Sequence, residues 1–189
     1  NMKNNNNYHH LSRDLACSNS LFNVYFDHLK VCENTVKDYL IVKPKVSIGS
    51  DNIVGICVLP EVDLSFGLMI GWRHQFGTKI WQAPAGFVES GEDPSQTALR
   101  ELREETSLIC DPRNLISLGS FIPDAGLLEG KVALFLAKDC EFISQIKSNE
   151  IGTGDLHFFN TNELMHLICN DSNIGGSTVT ASVRALQHY

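Results

Sequence analysis

The chain has 189 residues, 43% of them hydrophobic and 20% charged, and a formal net charge of -7, a composition that suits one domain with a core of its own. Its apolar runs, Ile53 to Leu59 and Val132 to Ala137, fall far short of a bilayer span, so no membrane role is expected. An acidic chain without a Lys/Arg run also gives no footing for non-specific nucleic-acid binding, which depends on basic patches.

Residues 1–20 begin with a polar, asparagine-rich stretch that lacks the layout of a secretory signal, and are expected as a flexible arm. His9-His10 is read as incidental rather than as a metal site. Residues 21–52 read as an N-terminal β extension. There Phe22, Val24, Phe26 and His28 alternate with Asn23, Tyr25 and Asp27, and a second strand is expected at Asp38 to Lys43. Residues 53–189 form the main domain.

Within it, Ile53 to Leu59, closed by Pro60, and Phe66 to Trp72 are continuous apolar runs of the kind that makes central strands. Ile80-Trp81-Gln82-Ala83 leads into a loop enforced by Pro84-Ala85-Gly86. A helix then starts with Asp93 as N-cap and Pro94 at its first position, where the missing N–H costs nothing. It should run to Thr106 and bury Ala98, Leu99, Leu102 and Thr106 on one stripe. Leu115 to Ile122, Val132 to Ala137 and Leu156 to Phe159 read as further strands. A helix capped by Thr161 or Asn162 follows, reaching Cys169, and another spans Ser177 to His188 after Gly175-Gly176. This order fits an α/β/α sandwich on a mixed sheet.

The cysteines, Cys17, Cys32, Cys57, Cys110, Cys140 and Cys169, show no Cys-x-x-Cys pair and no clustering with histidine, which argues against zinc. Reduced thiols in a cytoplasmic protein are the expectation, with Cys57 and Cys169 acting as small hydrophobes.

The densest chemistry lies between Gly86 and Leu108. On a helix, Glu101, Glu104 and Glu105 fall within about 100° of arc, so their carboxylates crowd one side. A divalent cation resolves the repulsion, and an oxygen-only donor set favours Mg²⁺, Mn²⁺ or Ca²⁺ over zinc. Such an ion neutralises a pyrophosphate and acidifies an attacking water. The competing reading is a solvated helix in which Arg100 and Glu104 form an i, i+4 surface pair worth ~0.3 kcal/mol. Gly86 and Glu92, at fixed spacing upstream, count against it.

Taken together, Gly86, Glu92, Arg100, Glu101, Leu102, Glu104, Glu105 and Leu108 resemble the Nudix box. Eight of its nine specified positions agree, and only Ser107 departs, where the family has glycine. The resemblance implies a Nudix-type α/β/α sandwich around a mixed β-sheet, a Mg²⁺ cofactor with Mn²⁺ as the alternative, and hydrolysis of a diphosphate. It implies Glu101 and Glu105 as metal ligands, Glu104 as the next in rank, and the Ala85 backbone carbonyl as a further ligand. Gly86, Glu92 and Arg100 would brace the loop and helix, and a helix-dipole role in the first turn suits Glu92 equally. The family glycine follows the helix in a left-handed conformation, so Ser107 there costs roughly 1 kcal/mol without removing a ligand.

The stretch from Trp81 to Glu92 resembles the ADP-ribose pyrophosphatase branch, as does Pro123, 15 residues beyond the box, although such residues are also plain turn chemistry. This implies a nucleoside diphosphate sugar as substrate, ADP-ribose above all, giving AMP and a sugar phosphate. It places Arg73 on the substrate phosphates, where a guanidinium chelates well, and Pro123 in a substrate-side loop. Gln82 stands where many relatives have glutamate. With Glu104 and Glu105, the catalytic set includes a general base downstream, Glu150, with Asp155 and Glu129 as rivals. Trp72, Phe87 or Phe121 either stacks a nucleobase or belongs to the core. A homodimer through residues 21–52 is also implied. Other nucleotides (NADH, coenzyme A, a dinucleoside polyphosphate, a nucleoside triphosphate) and a non-hydrolysing ADP-ribose sensor are the alternatives.

Overall fold

In the computed structural model, which describes residues 8–143 and 154–189, the start of the chain forms three long antiparallel strands. They are β1 (Tyr8–Ser18), β2 (Phe22–Val31) and β3 (Asn34–Pro44), ordered β1-β2-β3. Residues 8–18 are thus a strand, not part of a flexible arm. Composition misleads there because every side chain of β1 is exposed and its order comes from the ladder to β2, which runs from Tyr8 opposite Val31 to Ser18 opposite Asn23. Backbone pairing needs no apolar side chains.

The main sheet follows with β4 (Ile53–Val62), β5 (Ser65–Arg73), β6 (Thr78–Gln82), β7 (Ala85–Phe87), α1 (Pro94–Thr106), β8 (Leu108–Ile109), β9 (Leu115–Phe121), β10 (Lys131–Ala137), β11 (Glu141–Phe142), β12 (Asp155–Phe159), α2 (Thr161–Asn170) and α3 (Gly176–Ala185). Its order is β12-β5-β4-β10-β9, with β6 on β5 and β7 on β4, while β8 and β11 make a separate short ladder. β4 and β10 run parallel and their other neighbours antiparallel, so the sheet is mixed. Pro60 does not close β4. It lies opposite Ala137 of β10, and the ladder to β5 involves only Glu61 and Val62, so no bond to β5 is lost for want of its N–H.

Because side chains alternate along a strand, β4 feeds two cores. Ile56 and Val58 meet Ala98 and Leu102 of α1, with Leu108 and Phe135. Cys57 and Leu59 meet Phe66, Leu134, Leu164 of α2 and Ala181 of α3 on the opposite face. Helices therefore cover both faces of a mixed sheet, the α/β/α sandwich expected from sequence. Burying a leucine as fully as Leu102 contributes about 1.5–3 kcal/mol. Leu99, expected in the core, is only half-buried, and Thr97 takes its place on the stripe. The N-cap of α2 is Asn160, one residue ahead of the expected cap, and α3 gives way to a 3-10 turn at Leu186–His188. Among the described residues no helix is long and apolar enough to cross a membrane.

Candidate functional site

The site is built where β7 ends and α1 begins. Asp93 caps the helix by accepting from the Ser95 and Gln96 N–H groups, and the Gln96 side chain returns a bond to the Asp93 N–H. This capping box fixes where helical phase starts, and so where the glutamates of α1 point. The chain leaves α1 through Ser107 in a left-handed conformation (φ 59°, ψ 24°), the geometry the family glycine implied. Its N–H donates to the Arg103 carbonyl, and its own carbonyl accepts from Ile143.

Arg100 is the hub of the box. Its Nε donates to Glu92 Oε1 at 3.0 Å and its Nη2 to Glu92 Oε2 at 3.2 Å. Its Nη1 meets Glu101 Oε1 at 2.8 Å and Glu104 Oε2 at 3.1 Å. Thr97 Oγ1 adds a bond to Glu92 Oε2, a support that sequence reasoning missed although Thr97 lies in the helix's first turn. The guanidinium holds the Glu92 carboxyl below its ordinary value, with Thr97 assisting against a smaller cost of burial. In turn the glutamates, Glu92 first, raise Arg100.

Glu101 is 7% exposed and its carboxylate lies directly over Gly86, where an added Cβ would fall 1.9 Å from Oε1. Glycine at this position is therefore a space requirement of the carboxylate. Glu105 Oε2 accepts the Ala85 N–H at 2.9 Å. Ala85 sits opposite Cys57, and the Val58 N–H takes the Pro84 carbonyl, so the Ala85–Cys57 pair is a non-hydrogen-bonded one. Both polar groups of Ala85 then face away from β4, and its carbonyl shares the edge that its N–H presents to Glu105.

A hard divalent cation fits this donor chemistry, which is oxygen only: the carboxylates of Glu101, Glu104 and Glu105 and the edge holding the Ala85 carbonyl. Among the described residues no three acidic, histidine or cysteine side chains already form an ion cage, since Glu101 and Glu104 both turn onto Arg100.

The more distant candidates fare differently. Arg73, at the end of β5, donates from Nε and Nη2 to Gln82 Oε1, so the glutamine that replaces an acid orients the guanidinium. Pro123 is exposed in the loop from β9 to β10. Glu129 accepts from Lys43 and Arg13 and is engaged in ion pairs rather than standing ready as a base. Asp155 is exposed at the start of β12, and Glu150 lies outside the described residues. Trp72 and Phe87 are exposed and Phe121 half-buried against the core. Phe87 meets Phe22 of the N-terminal sheet edge-on, at 5.4 Å between ring centroids.

An α/β/α sandwich that sets a carboxylate-bearing helix against a glycine turn defines the structural class. The NUDIX domain model matches residues 52–168, and the chain belongs to the Nudix family. It is 31% identical over 91 residues to a CMP-5'-(N-acetyl-N-hydroxy-3-aminopropyl)phosphonate hydrolase of Streptomyces rubellomurinus, a match covering 47% of this chain and 43% of that protein. It is 41% identical over 59 residues to an RNA pyrophosphohydrolase of Brucella ovis, covering 29% of this chain and 33% of that one. The matches thus span less than half the length of either curated relative. A solved structure described as an ADP compounds hydrolase superposes with a TM-score of 0.77 at 18% identity, over 96% of this chain and 93% of that one, and so shares the fold.

Proposed function

We propose that this chain is a divalent-metal-dependent pyrophosphatase that cleaves ADP-ribose or a related nucleoside diphosphate sugar to a nucleoside monophosphate and a sugar phosphate. The observation that carries the reading is the placing of Glu101 and Glu105 against the Ala85-Gly86 turn, with Glu104 joined to Glu101 through Arg100. Glu101, Glu105 and the Ala85 carbonyl would hold Mg²⁺ or Mn²⁺, with Glu104 joining them. When bound, the metal supplies charge neutralisation at the diphosphate and a more acidic water. Arg100 and Glu92 keep the helix and loop in one geometry, and Gly86 keeps the space that Glu101 needs. Arg73, oriented by Gln82, binds phosphate oxygens. Glu150 is the proposed base, because Glu129 is committed to Lys43 and Arg13.

The substrate assignment is supported by the Trp81-to-Glu92 segment, by Pro123, and by the shared fold of a protein described as acting on ADP compounds. We also place the protein in the cytoplasm as a homodimer, with residues 21–52 as the pairing element. A different nucleotide is the second reading, favoured by the names of the two curated relatives. A purely sensing domain loses ground because the chain keeps the box carboxylates and Ser107 adopts the left-handed turn of the family glycine.

The test is AMP release from ADP-ribose with Mg²⁺, beside NADH, coenzyme A, diadenosine polyphosphates and nucleoside triphosphates. ADP-ribose turnover that falls about 100-fold or more in Glu105→Gln is expected. Turnover of another member alone moves the assignment to that nucleotide, and binding of ADP-ribose without turnover of any member overturns the hydrolase reading.

A further inference from the structure

Two cysteines that the hydrolase chemistry does not use face one another at the foot of α1. In the short ladder, Leu108 lies opposite Phe142 and Ile109 opposite Glu141. The ladder ends there, and carrying its register one residue further sets Cys110 opposite Cys140. The Ile143 N–H donates to the Ser107 carbonyl, which sets the phase of the ladder and makes 110/140 a non-hydrogen-bonded pair. In keeping with this, the Cys140 N–H is spent on the Glu61 carbonyl at 2.9 Å. Opposing Cα atoms in such a pair stand about 4.5 Å apart, within the window of about 4.4–6.8 Å that a disulfide spans. The Cys110 thiol donates to the Lys138 carbonyl at 3.4 Å and the Cys140 thiol to the Ala137 carbonyl at 3.2 Å, so both sulfurs gather at the same turn after β10.

They are also unequal. Cys140 is 5% exposed, with its Sγ toward the Ala137 carbonyl. Cys110 is half-buried and lines a cavity of about 530 Å³ with Leu99, Arg100, Arg103, Glu104 and Ile109. One thiol is reachable by a small oxidant and the other is sheltered behind it. The neighbouring Cys140 holds the Cys110 thiol down, while Cys110 and burial push Cys140 up.

We propose that Cys110 and Cys140 are a peroxide-responsive modification site that closes into a reversible disulfide. The Cys110 thiolate attacks one oxygen of hydrogen peroxide: an S–O bond forms, the O–O bond breaks, and the departing hydroxide takes a proton to become water. Cys140 then gives up its proton and attacks the Cys110 sulfur: the S–S bond forms, the S–O bond breaks, and a second water leaves. Two thiols lose two electrons and one peroxide becomes two waters. The bond staples the exit of α1 to the strand that follows β10.

The experiment uses the full chain with the exposed Cys17, Cys32 and Cys169 replaced by serine, treated with hydrogen peroxide and mapped as non-reduced peptides. The expected result is one linked pair containing Cys110 and Cys140, lighter by two hydrogens and reopened by dithiothreitol. The melting temperature should rise about 5–10 °C over the reduced protein, since the bond closes a loop of some thirty residues. Cys110→Ser, at a half-exposed site that folding tolerates, should abolish the link and leave Cys140 open to alkylation after denaturation, and Cys140→Ala should abolish it from the other side. Conversion of Cys110 to sulfinic acid with Cys140 still alkylatable overturns the proposal. So does a link from either residue to Cys57, or one between two chains.

Discussion

Gly86 leaves no room for even a methyl group, because the Glu101 carboxylate occupies the space a Cβ would take, with Oε1 1.9 Å and the carboxyl carbon 2.2 Å away. What a methyl would strike is the end of a side chain, which rotates away more cheaply than backbone. Gly86→Ala should therefore fold, losing about 1–2 kcal/mol in urea titration, while displaced Glu101 costs about 100-fold in turnover. Full turnover in that variant would remove Glu101 from the proposed metal set. Ser107 shows the opposite relation between stability and activity. A serine held at φ 59° carries a backbone cost that glycine avoids. Ser107→Gly should raise stability by about 0.5–1 kcal/mol, a shift of about 2 °C in thermal unfolding, with unchanged turnover. A lower melting temperature would mean that the serine side chain's own contacts outweigh the strain.

At the scale of the element, Arg100 makes α1 and the preceding loop one unit, because its fork closes on Glu92 while Nη1 reaches Glu101 and Glu104. Glu92 titrates below its ordinary 4.5 when folded. Its contribution is complete above that ordinary value and is lost as pH falls through the lower, folded one. Lysine offers a point charge and cannot match the fork. Arg100→Lys should therefore cost about 1–2 kcal/mol near pH 7, and the gap to the unsubstituted protein should narrow at about pH 3.5, as measured by urea melts at both. A gap that widens in acid would assign the stabilisation elsewhere. α1 was legible from sequence because its determinants are local: Asp93 and Pro94 open it, and Glu101, Glu104 and Glu105 share a face by helical period alone. β1 was not legible, since its exposed side chains carry no alternating apolar pattern and its order comes from the backbone ladder to β2, and the two-residue ladder of β8 and β11 was not, since its partners are distant in sequence. Arg73 meeting Gln82 was missed because the contact depends on the register of the β5–β6 hairpin, and Thr97 is buried where its hydroxyl donates to Glu92.

At the scale of the molecule, the three-stranded sheet is joined to the main domain around Glu129. This carboxylate accepts from Lys43 on β3 and from Arg13 on β1, while Arg13 also grips Asp27 of β2 at 2.7 and 2.9 Å. Desolvation pushes the Glu129 carboxyl upward, yet Lys43 and Arg13 outweigh it and hold it below its ordinary value. The Val42 N–H donates to the Leu127 carbonyl and the Glu129 N–H to the Val42 carbonyl beside this ion pair, and Phe22 reaches Phe87, next to Gly86. Phe26 of β2 and Leu40 of β3, both within residues 21–52, are exposed, and β1 extends this apolar surface to an open edge with Tyr8, Leu11 and Leu15. An open edge with apolar side chains is what a second copy covers in a twofold dimer. The proposed dimer should therefore have the mass of two chains in light scattering. Glu129→Ala leaves Arg13 and Lys43 without their shared partner, so it should loosen the sheet, speed proteolysis between residues 45 and 52, and shift the scattering mass toward one chain. If the unsubstituted protein scatters as a single chain at every concentration, the sheet serves only its own domain. Glu129→Ala should then change the cleavage rate and leave the mass untouched.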